Sequence, residues 1–270
     1  MIVDSHVHIG CKGGFSMPPE MLMQSLDKYN ITYALVSSID AVEMTPEHEC
    51  LPAEHQTSQE EVLRRTLDFV RANKDRCRAM AWVKPYGEEI SEEYDKMIAD
   101  NRDLICGIKV HPFYSNVALD DEKMKKYIEL ARKYKLPIVA HTAESEESKV
   151  IHVYNAAKAN PDVDFVMVHM GLGSDNNEAI ELLGELDNLY GDTTWVPLES
   201  TVKAVEKCGS RKILFGSDSP IDGVDTYHNN PSGELSVYQQ YFNELENRVG
   251  FEAYENIMFR NAARIFRLHI

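Results

Sequence analysis

The 270-residue sequence has no apolar run near the roughly 20 residues that a membrane span requires. Its beginning also lacks the charged and apolar regions of a secretory signal peptide. Positive charge is scarce, since 28 Lys and Arg stand against 44 Asp and Glu, for a net charge of −16. No Lys/Arg-rich run is present that could follow a phosphate backbone. These absences predict a cytoplasmic protein that binds neither nucleic acid nor membrane.

Cysteine is also sparse. The five cysteines form no C-x-x-C pair, and an odd number cannot all be joined in disulfides, so we expect reduced thiols. No linker rich in Pro, Gly or Ser divides the chain, and the hydrophobic fraction of 43% is enough for one large core. The sequence therefore predicts a single domain over residues 1–270.

Short β-branched runs alternate with longer runs of helical periodicity, such as "SQEEVLRRTLDFVRAN". The predicted strands start about 30 residues apart, apart from one interval of 45, which is the spacing of βαβ units. Eight such units predict a (β/α)8 TIM barrel. A doubly wound open sheet is the alternative, but its Gly-rich phosphate turn is missing after the first strand. The eight predicted strands are 2–8, 33–39, 78–85, 105–112, 137–142, 164–170, 190–196 and 213–220.

The longest interval between predicted strands contains "DAVEMTPEHECLPAEHQT" at residues 40–57. This segment is polar and rich in turn-forming residues, so it does not resemble core. Long loops that follow barrel strands often act as lids over the active site. We therefore predict a lid-like loop at about 40–57.

Ionisable side chains recur where predicted strands end. The carboxyl ends of barrel strands converge on the face that carries the active site, so these side chains predict that site. In "DSHVH", alternation along a strand places Asp4, His6 and His8 on one face, although this motif alone also fits a polar surface strand. The predicted site residues are His6 and His8 of the first strand, Lys109 and His111 of the fourth, His141 of the fifth, His169 of the sixth and Asp218 of the eighth.

Three imidazoles and a carboxylate form a ligand set for a divalent cation. We predict that His6, His8, His141 and Asp218 hold one metal ion. Zinc is the first expectation, with manganese, nickel and iron as alternatives. Asp218 lies in the apolar stretch "ILFGSDSP", where a buried carboxylate needs a partner, although it could also serve as a cap or turn residue.

Three further residues have predicted roles beside the metal. His169 is assigned to catalysis, with a fifth ligand or a core histidine as alternatives. Lys109 is assigned to binding a substrate carboxylate, with a carbamylated bridge between two metals or a snorkelling side chain as alternatives. His111 precedes a proline that favours extended backbone, which predicts a substrate-binding position at the rim of the site.

Taken together, the motifs resemble the amidohydrolase superfamily and, within it, the amidohydrolase 2 group that includes aminocarboxymuconate semialdehyde decarboxylases. The resemblance implies a barrel with a metal on His6, His8, His141 and Asp218, and with His169 in catalysis. The "SDSP" of this chain replaces the more frequent "SDYP" or "SDWP", and the group holds hydrolases and decarboxylases alike, so no substrate is implied. The matching motifs are "DSHVH" (4–8), "GIKVHP" (107–112), "LARKYKLPIVAHT" (130–142), "VMVHMG" (166–171), "LFGSDSP" (214–220) and "NAARIF" (261–266).

The leading functional prediction is a hydrolase that uses a metal-activated water on a small substrate, either carboxylated or a cyclic amide or lactone. Asp218 is expected to accept the proton of the water, while His169 steadies the developing oxyanion. The alternatives are non-oxidative decarboxylation of an unsaturated carboxylic acid and a non-catalytic metal-containing binding protein. The expected partner is a small molecule. A homo-oligomer is possible for a barrel of this size, but the sequence has no interface signature.

Overall fold

The computed structural model describes all of residues 1–270. Eight parallel strands form one sheet in the order of the chain, with helices between successive strands. This arrangement confirms the predicted (β/α)8 barrel. The strands are β1 Val3–Ile9, β2 Tyr33–Ser38, β3 Cys77–Trp82, β4 Ile105–Val110, β5 Ile138–Ala143, β6 Phe165–Leu172, β7 Leu189–Asp192 and β8 Ile213–Leu214.

The helices follow the amphipathic runs of the sequence. Ser58 caps the helix predicted from "SQEEVLRRTLDFVRAN" by accepting a hydrogen bond from the backbone of Glu61. The helices are α1 Pro19–Lys28, α2 Gln59–Ala72, α3 Glu92–Asp100, α4 Pro112–Ser115, α5 Lys125–Tyr134, α6 Val150–Ala159, α7 Asn177–Leu183, α8 Leu198–Cys208, α9 Tyr238–Asn243, α10 Leu245–Val249, α11 Phe251–Glu255 and α12 Asn261–Ile265, with a π-helical turn at Asn256–Arg260 between the last two.

Strand β8 is shorter than predicted, and the barrel is completed by the irregular chain that follows it. Ser5 donates its backbone N–H to the carbonyl of Phe215, and His8 donates to that of Ser219, both at 2.9 Å. Between these bonds, Asp218 adopts a φ of +63°, which is incompatible with a regular strand. The predicted strand 213–220 is therefore wrong beyond β8, although the segment still lies beside β1.

The core has two main layers. The larger cluster of apolar side chains fills the space between the sheet and the helices, and a smaller cluster fills the barrel interior. Leu35, Met80 and Val166 belong to the interior cluster, which Phe266 from the chain's end also joins. Because the strands are buried on both faces, as parallel strands usually are, most of their side chains are apolar, and Lys109, His141 and His169 lie near the carboxyl ends.

The predicted lid segment is partly buried. Its residues 41–44 are buried, and Val42 packs with Trp82 in a third apolar cluster, whereas most of residues 45–57 are exposed. All five cysteines are free thiols. No helix is both long and apolar enough to span a membrane. The role of the segment as a lid stays a prediction.

Candidate metal centre

All seven predicted site residues line one cavity of about 360 Å³ at the carboxyl ends of the strands. The barrel topology brings them together, since five lie in β1, β4, β5 and β6, His111 directly follows β4, and Asp218 lies in the segment after β8. His6, His169 and Asp218 form the tightest group of donor atoms, and these atoms all lie within 4.8 Å of one another. Each of the three side chains is buried.

One oxygen of Asp218 faces both histidines of β1. Asp218 Oδ1 lies 3.3 Å from His6 Nε2 and 3.2 Å from His8 Nε2. Its other oxygen, Oδ2, lies 3.8 Å from His169 Nε2. The carboxylate is therefore shared among three imidazoles. Burial alone raises its pKa, but the neighbouring His6, His169 and His8 outweigh that effect and hold the pKa of Asp218 well below its usual value.

His141 lies next to this group. Its ring centroid is 4.7 Å from that of His169, and it stacks on the ring of His111 at 3.9 Å. Both His111 and His141 are half-buried. His111 Nδ1 accepts a hydrogen bond from the backbone of Tyr114 at 3.4 Å, which fixes the ring at the rim of the cavity. The assignment of His141 to the metal and of His111 to substrate stays a prediction.

Lys109 lies at the centre of the site. Its Nζ is 2.9 Å from His6 Nε2, and the side chain is fully buried, so the snorkelling alternative does not describe it. Burial lowers its pKa to about 8, against the opposing effect of Asp218 and Asp192. The ammonium form of the lysine therefore places a positive charge beside the histidines.

The neutral form is favoured at four imidazoles of the site, those of His6, His111, His141 and His169. Burial, together with the charge of Lys109, lowers the pKa of His6 to about 3. Burial also lowers the pKa of His169 and holds the pKa values of His111 and His141 well below the usual value. A neutral imidazole has a lone pair available, which is the form that binds metal ions.

The end of β7 and the residues that follow it contribute side chains to the site that the sequence motifs did not predict. Asp192 is fully buried and accepts the backbone N–H of His169 at 2.8 Å. The indole of Trp195 donates to Asp218 Oδ2 at 2.9 Å, and its φ of +57° lies in a region that non-glycine residues rarely adopt. The available signal was that Asp192 ends an apolar strand, as the other site residues do.

Asp4 does not join the cavity, so the expectation that it shares a face with His6 and His8 is wrong. Its carboxylate accepts hydrogen bonds from the hydroxyls of Ser217 and Tyr227, the latter at 2.5 Å. The register of β1 against β2 shifts between Asp4 and Val7, which breaks the alternation of side chains. Burial raises the pKa of Asp4 to about 7, and its hydrogen bonds oppose that rise.

The outer part of the cavity is apolar and aromatic. Trp82 lies parallel to the ring of His111, with 5.6 Å between centroids and 8° between planes. Phe15, Phe113 and Leu172 also line this part. The cavity therefore combines a polar floor with a flat apolar wall, which suits a small molecule that is polar at one end.

Comparison with protein families decides the class of the protein. The Amidohydro_2 model, described as Amidohydrolase, matches residues 3–268. The chain belongs to this amidohydrolase family. Its members are metal-dependent hydrolases and decarboxylases, so the prediction of an enzyme is confirmed. No curated protein matches this amidohydrolase.

Solved structures share the fold of this amidohydrolase at low sequence identity. A probable 2-pyrone-4,6-dicarboxylic acid hydrolase from Acinetobacter baumannii is 13% identical, with 99% of each chain covered and a TM-score of 0.66. A 2,6-dihydroxybenzoate decarboxylase from Rhizobium is 15% identical, with 98% of each chain covered and a TM-score of 0.66. A 5-carboxyvanillate decarboxylase from Novosphingobium aromaticivorans, complexed with manganese, is 13% identical over 99% of this chain and 96% of that one, with a TM-score of 0.68.

Proposed function

We propose that this amidohydrolase is a metal-dependent hydrolase of a small substrate that carries a carboxylate or a cyclic amide or lactone. The observation that carries the proposal is the position of Asp218. One of its oxygens faces His6 and His8, while the other lies near His169, on the floor of a cavity sized for a small molecule. A carboxylate in that position can share in holding a cation and can also move a proton.

The donor set fits a divalent cation. We propose His6, His8, His141 and Asp218 as its ligands, and the neutral form that the rings of His6 and His141 favour supports this choice. When bound, such a cation lowers the pKa of a water from about 16 to about 7 and polarises a substrate carbonyl. Zinc is the first choice for this nitrogen and oxygen set, and the resemblance to a manganese-complexed decarboxylase makes manganese the leading alternative.

Asp218 and His169 are the proposed proton carriers. Asp218 accepts the proton of the attacking water and returns it to the leaving group of the substrate. The Nδ1 of His169 is 3.1 Å from the carbonyl of Thr194, to which it can only donate, so the neutral ring has its lone pair on Nε2. His169 therefore accepts a proton first, and only its protonated ring can then stabilise a developing oxyanion.

Lys109 and His111 are the proposed substrate-binding residues. The ammonium of Lys109 on the cavity floor pairs with a substrate carboxylate. The ring of His111, held at the rim and stacked beside Trp82, packs against the flat part of the substrate. Together they orient a molecule that has one anionic end.

Decarboxylation is the second candidate. The aromatic wall around Trp82 and His111 suits a planar ring, and two of the structures that share the fold are decarboxylases of aromatic acids. In this case a substrate carboxylate leaves as carbon dioxide, and His169, after its Nε2 has taken a proton from solvent, supplies the proton that replaces it.

Product analysis tests both candidates. The metal-loaded protein is incubated with lactones, cyclic amides, hydroxybenzoates and unsaturated carboxylic acids, and the products are identified by mass spectrometry. A hydrolase yields products heavier by one water, with 18O incorporated from labelled water, whereas a decarboxylase releases carbon dioxide. A double variant His6→Ala/His8→Ala serves as the control. Carbon dioxide release without water incorporation would refute the hydrolase proposal.

A further inference from the structure

The hydroxyl of Thr194 lies between the ring of His6 and a buried carboxylate. Thr194 Oγ1 donates to Asp192 Oδ2 at 2.9 Å, and His6 Nδ1 lies 3.3 Å from Thr194 Oγ1 and 3.5 Å from Asp192 Oδ2. A hydroxyl has one proton to donate. Because Thr194 gives that proton to Asp192, only acceptors face His6 Nδ1. The neutral ring of His6 must therefore carry its hydrogen on Nδ1.

His169 is held by the same two residues. Its Nδ1 faces the backbone carbonyl of Thr194 at 3.1 Å, and a carbonyl can only accept, so this ring also carries its hydrogen on Nδ1. The backbone N–H of His169 donates to Asp192 Oδ1 at 2.8 Å. This bond helps to hold the backbone of His169 at a φ of +69°, a conformation that is costly for a residue other than glycine.

We propose that Asp192 and Thr194 are positioning residues that hold His6 and His169 in the Nδ1–H tautomer. In that tautomer the Nε2 lone pair of His6 accepts from the ammonium of Lys109 at 2.9 Å, and the Nε2 atoms of His6 and His169 lie 3.3 Å and 3.8 Å from Asp218. A ring nitrogen binds a cation or accepts a proton only through such a lone pair. The consequence for metal affinity rests on the proposed function, whereas the tautomers themselves are measurable in metal-free protein.

The hydrogen bonds among Asp192, Thr194 and His6 lead us to expect different tautomers of His6 in two variants. In Thr194→Val the hydroxyl is lost, but the ammonium of Lys109, 2.9 Å from Nε2, still holds His6 in the Nδ1–H form. Both variants are therefore made in a Lys109→Met background. There Thr194→Val leaves only the 3.5 Å contact with Asp192, so we expect His6 to become a mixture of tautomers, while His169 keeps its backbone partner and stays Nδ1–H. In Asp192→Asn the amide oxygen must remain at the Oδ1 position, because the backbone N–H groups of His169 and Thr194 both donate there, at 2.8 and 3.1 Å. The amide nitrogen then donates to Thr194, whose hydroxyl turns to His6, so in the Lys109→Met background, where no ammonium faces Nε2, His6 inverts to the Nε2–H form.

Long-range proton–nitrogen NMR correlations of the histidine rings in metal-free protein test these predictions, with assignments from single His→Asn variants. Thr194→Ser restores the hydroxyl and is expected to restore the wild-type tautomer of His6. Thr201→Val is the matched control, because Thr201 is equally buried and bonds Tyr241 at 2.7 Å, far along the chain from the histidines. In that control a buried threonine hydroxyl is lost, and we expect the tautomers of His6 and His169 to stay as in wild type.

Chelator competition with zinc and manganese gives the second measurement. We expect Thr194→Val to bind about 10- to 100-fold more weakly than wild type, and Thr194→Ser and Thr201→Val to bind as wild type does. An unchanged His6 tautomer in Thr194→Val and Asp192→Asn, both in the Lys109→Met background, would overturn the inference. If the tautomers change as expected but wild-type protein binds no metal, the positioning role is supported and the proposed function fails.

Discussion

At the scale of single residues, His169 offers the clearest test of the proposed roles. Replacing it with Asn removes the proton carrier and keeps a polar side chain of similar length. Proton transfer by a positioned side chain contributes roughly 100- to 10,000-fold, so we expect turnover to fall by that range while metal content stays at the wild-type level. Elemental analysis alongside kinetics measures both. Loss of the metal would instead make His169 a ligand, as its place in the tightest donor group allows.

Gly216 is required for space beside the positioning pair. A Cβ at this position would lie 2.6 Å from Thr194 Oγ1 and 2.9 Å from Asp192 Oδ2. We expect Gly216→Ala to lower the free energy of unfolding by about 1–3 kcal/mol and to weaken metal binding, because the pair must shift. Denaturant titration and chelator competition measure the two effects. Gly184→Ala is the control, since its nearest new contact would be 3.5 Å; equal effects in both variants would contradict the account.

The sequence identified the site residues that end predicted strands, and the cavity contains all of them. These residues could be recognised because each is an ionisable residue at the end of an otherwise apolar run. Thr194 and Trp195 could not be found this way. The role of Thr194 depends on its backbone carbonyl and on the direction of its hydroxyl, and that of Trp195 depends on a φ of +57°. The spacing of residues along the sequence predicts none of these features. Asp4 was misplaced for a similar reason, since the irregular register of β1 is a property of strand pairing.

At the scale of elements, the segment 40–57 is tied to the cavity rim. His48 packs on Phe113 with ring centroids 4.8 Å apart, and its Nε2 lies 3.7 Å from Glu147 Oε1. Phe113 lines the cavity, so movement of this segment would change access to the site. These contacts support the predicted lid. The sequence indicated a polar loop but could not show that its first residues are buried against β3.

Glu43 anchors the same segment and gives it a pH dependence. Its carboxylate accepts the backbone N–H groups of Gly87, at 2.8 Å, and of Tyr86, at 3.4 Å. Burial raises the pKa of Glu43 to about 7, although those amides favour the ionised form. A raised carboxyl pKa lowers folded-state stability above about pH 7, and the penalty disappears as the pH falls to about 4.5.

We therefore expect Glu43→Gln to raise thermal stability relative to wild type at about pH 8 and to have little effect at about pH 5. The glutamine keeps an oxygen for the Gly87 amide but has no charge to desolvate. By linkage the difference at high pH is at most about 3 kcal/mol. Melting curves of both proteins across this range measure it. A constant difference between the two proteins at every pH would show that the pKa of Glu43 is the same in the folded and unfolded chain, which would contradict the prediction.

At the scale of the whole molecule, the barrel was predictable and its closure was not. Eight alternating units at regular spacing leave few topologies, because parallel strands need right-handed crossovers of about this length. Completion of the ring by the irregular chain around Phe215 and Ser219 depends on backbone bonds to β1, which composition does not reveal. Structures with the same fold are only 13–15% identical to this chain. Such low identity is expected if the barrel depends on the pattern of apolar and polar residues more than on particular side chains.

Cation binding is expected to stabilise the whole fold. Its proposed ligands come from both ends of the chain, so the ion would join β1 to the segment after β8. A cation at 100 times its dissociation constant adds about 2.7 kcal/mol, which raises the melting temperature by roughly 5–10 °C for a domain of this size. Differential scanning fluorimetry with chelator and with added zinc or manganese measures the shift. The His6→Ala/His8→Ala variant should show none, and an equal shift in that variant would place the ion elsewhere.

Anomalous diffraction from crystals of the metal-loaded protein tests the central claim most directly. We expect one divalent cation in contact with His6, His8, His141 and Asp218 on the cavity floor, with Lys109 beside it. Anomalous density that is missing from the cavity, or that touches none of these side chains, would contradict it.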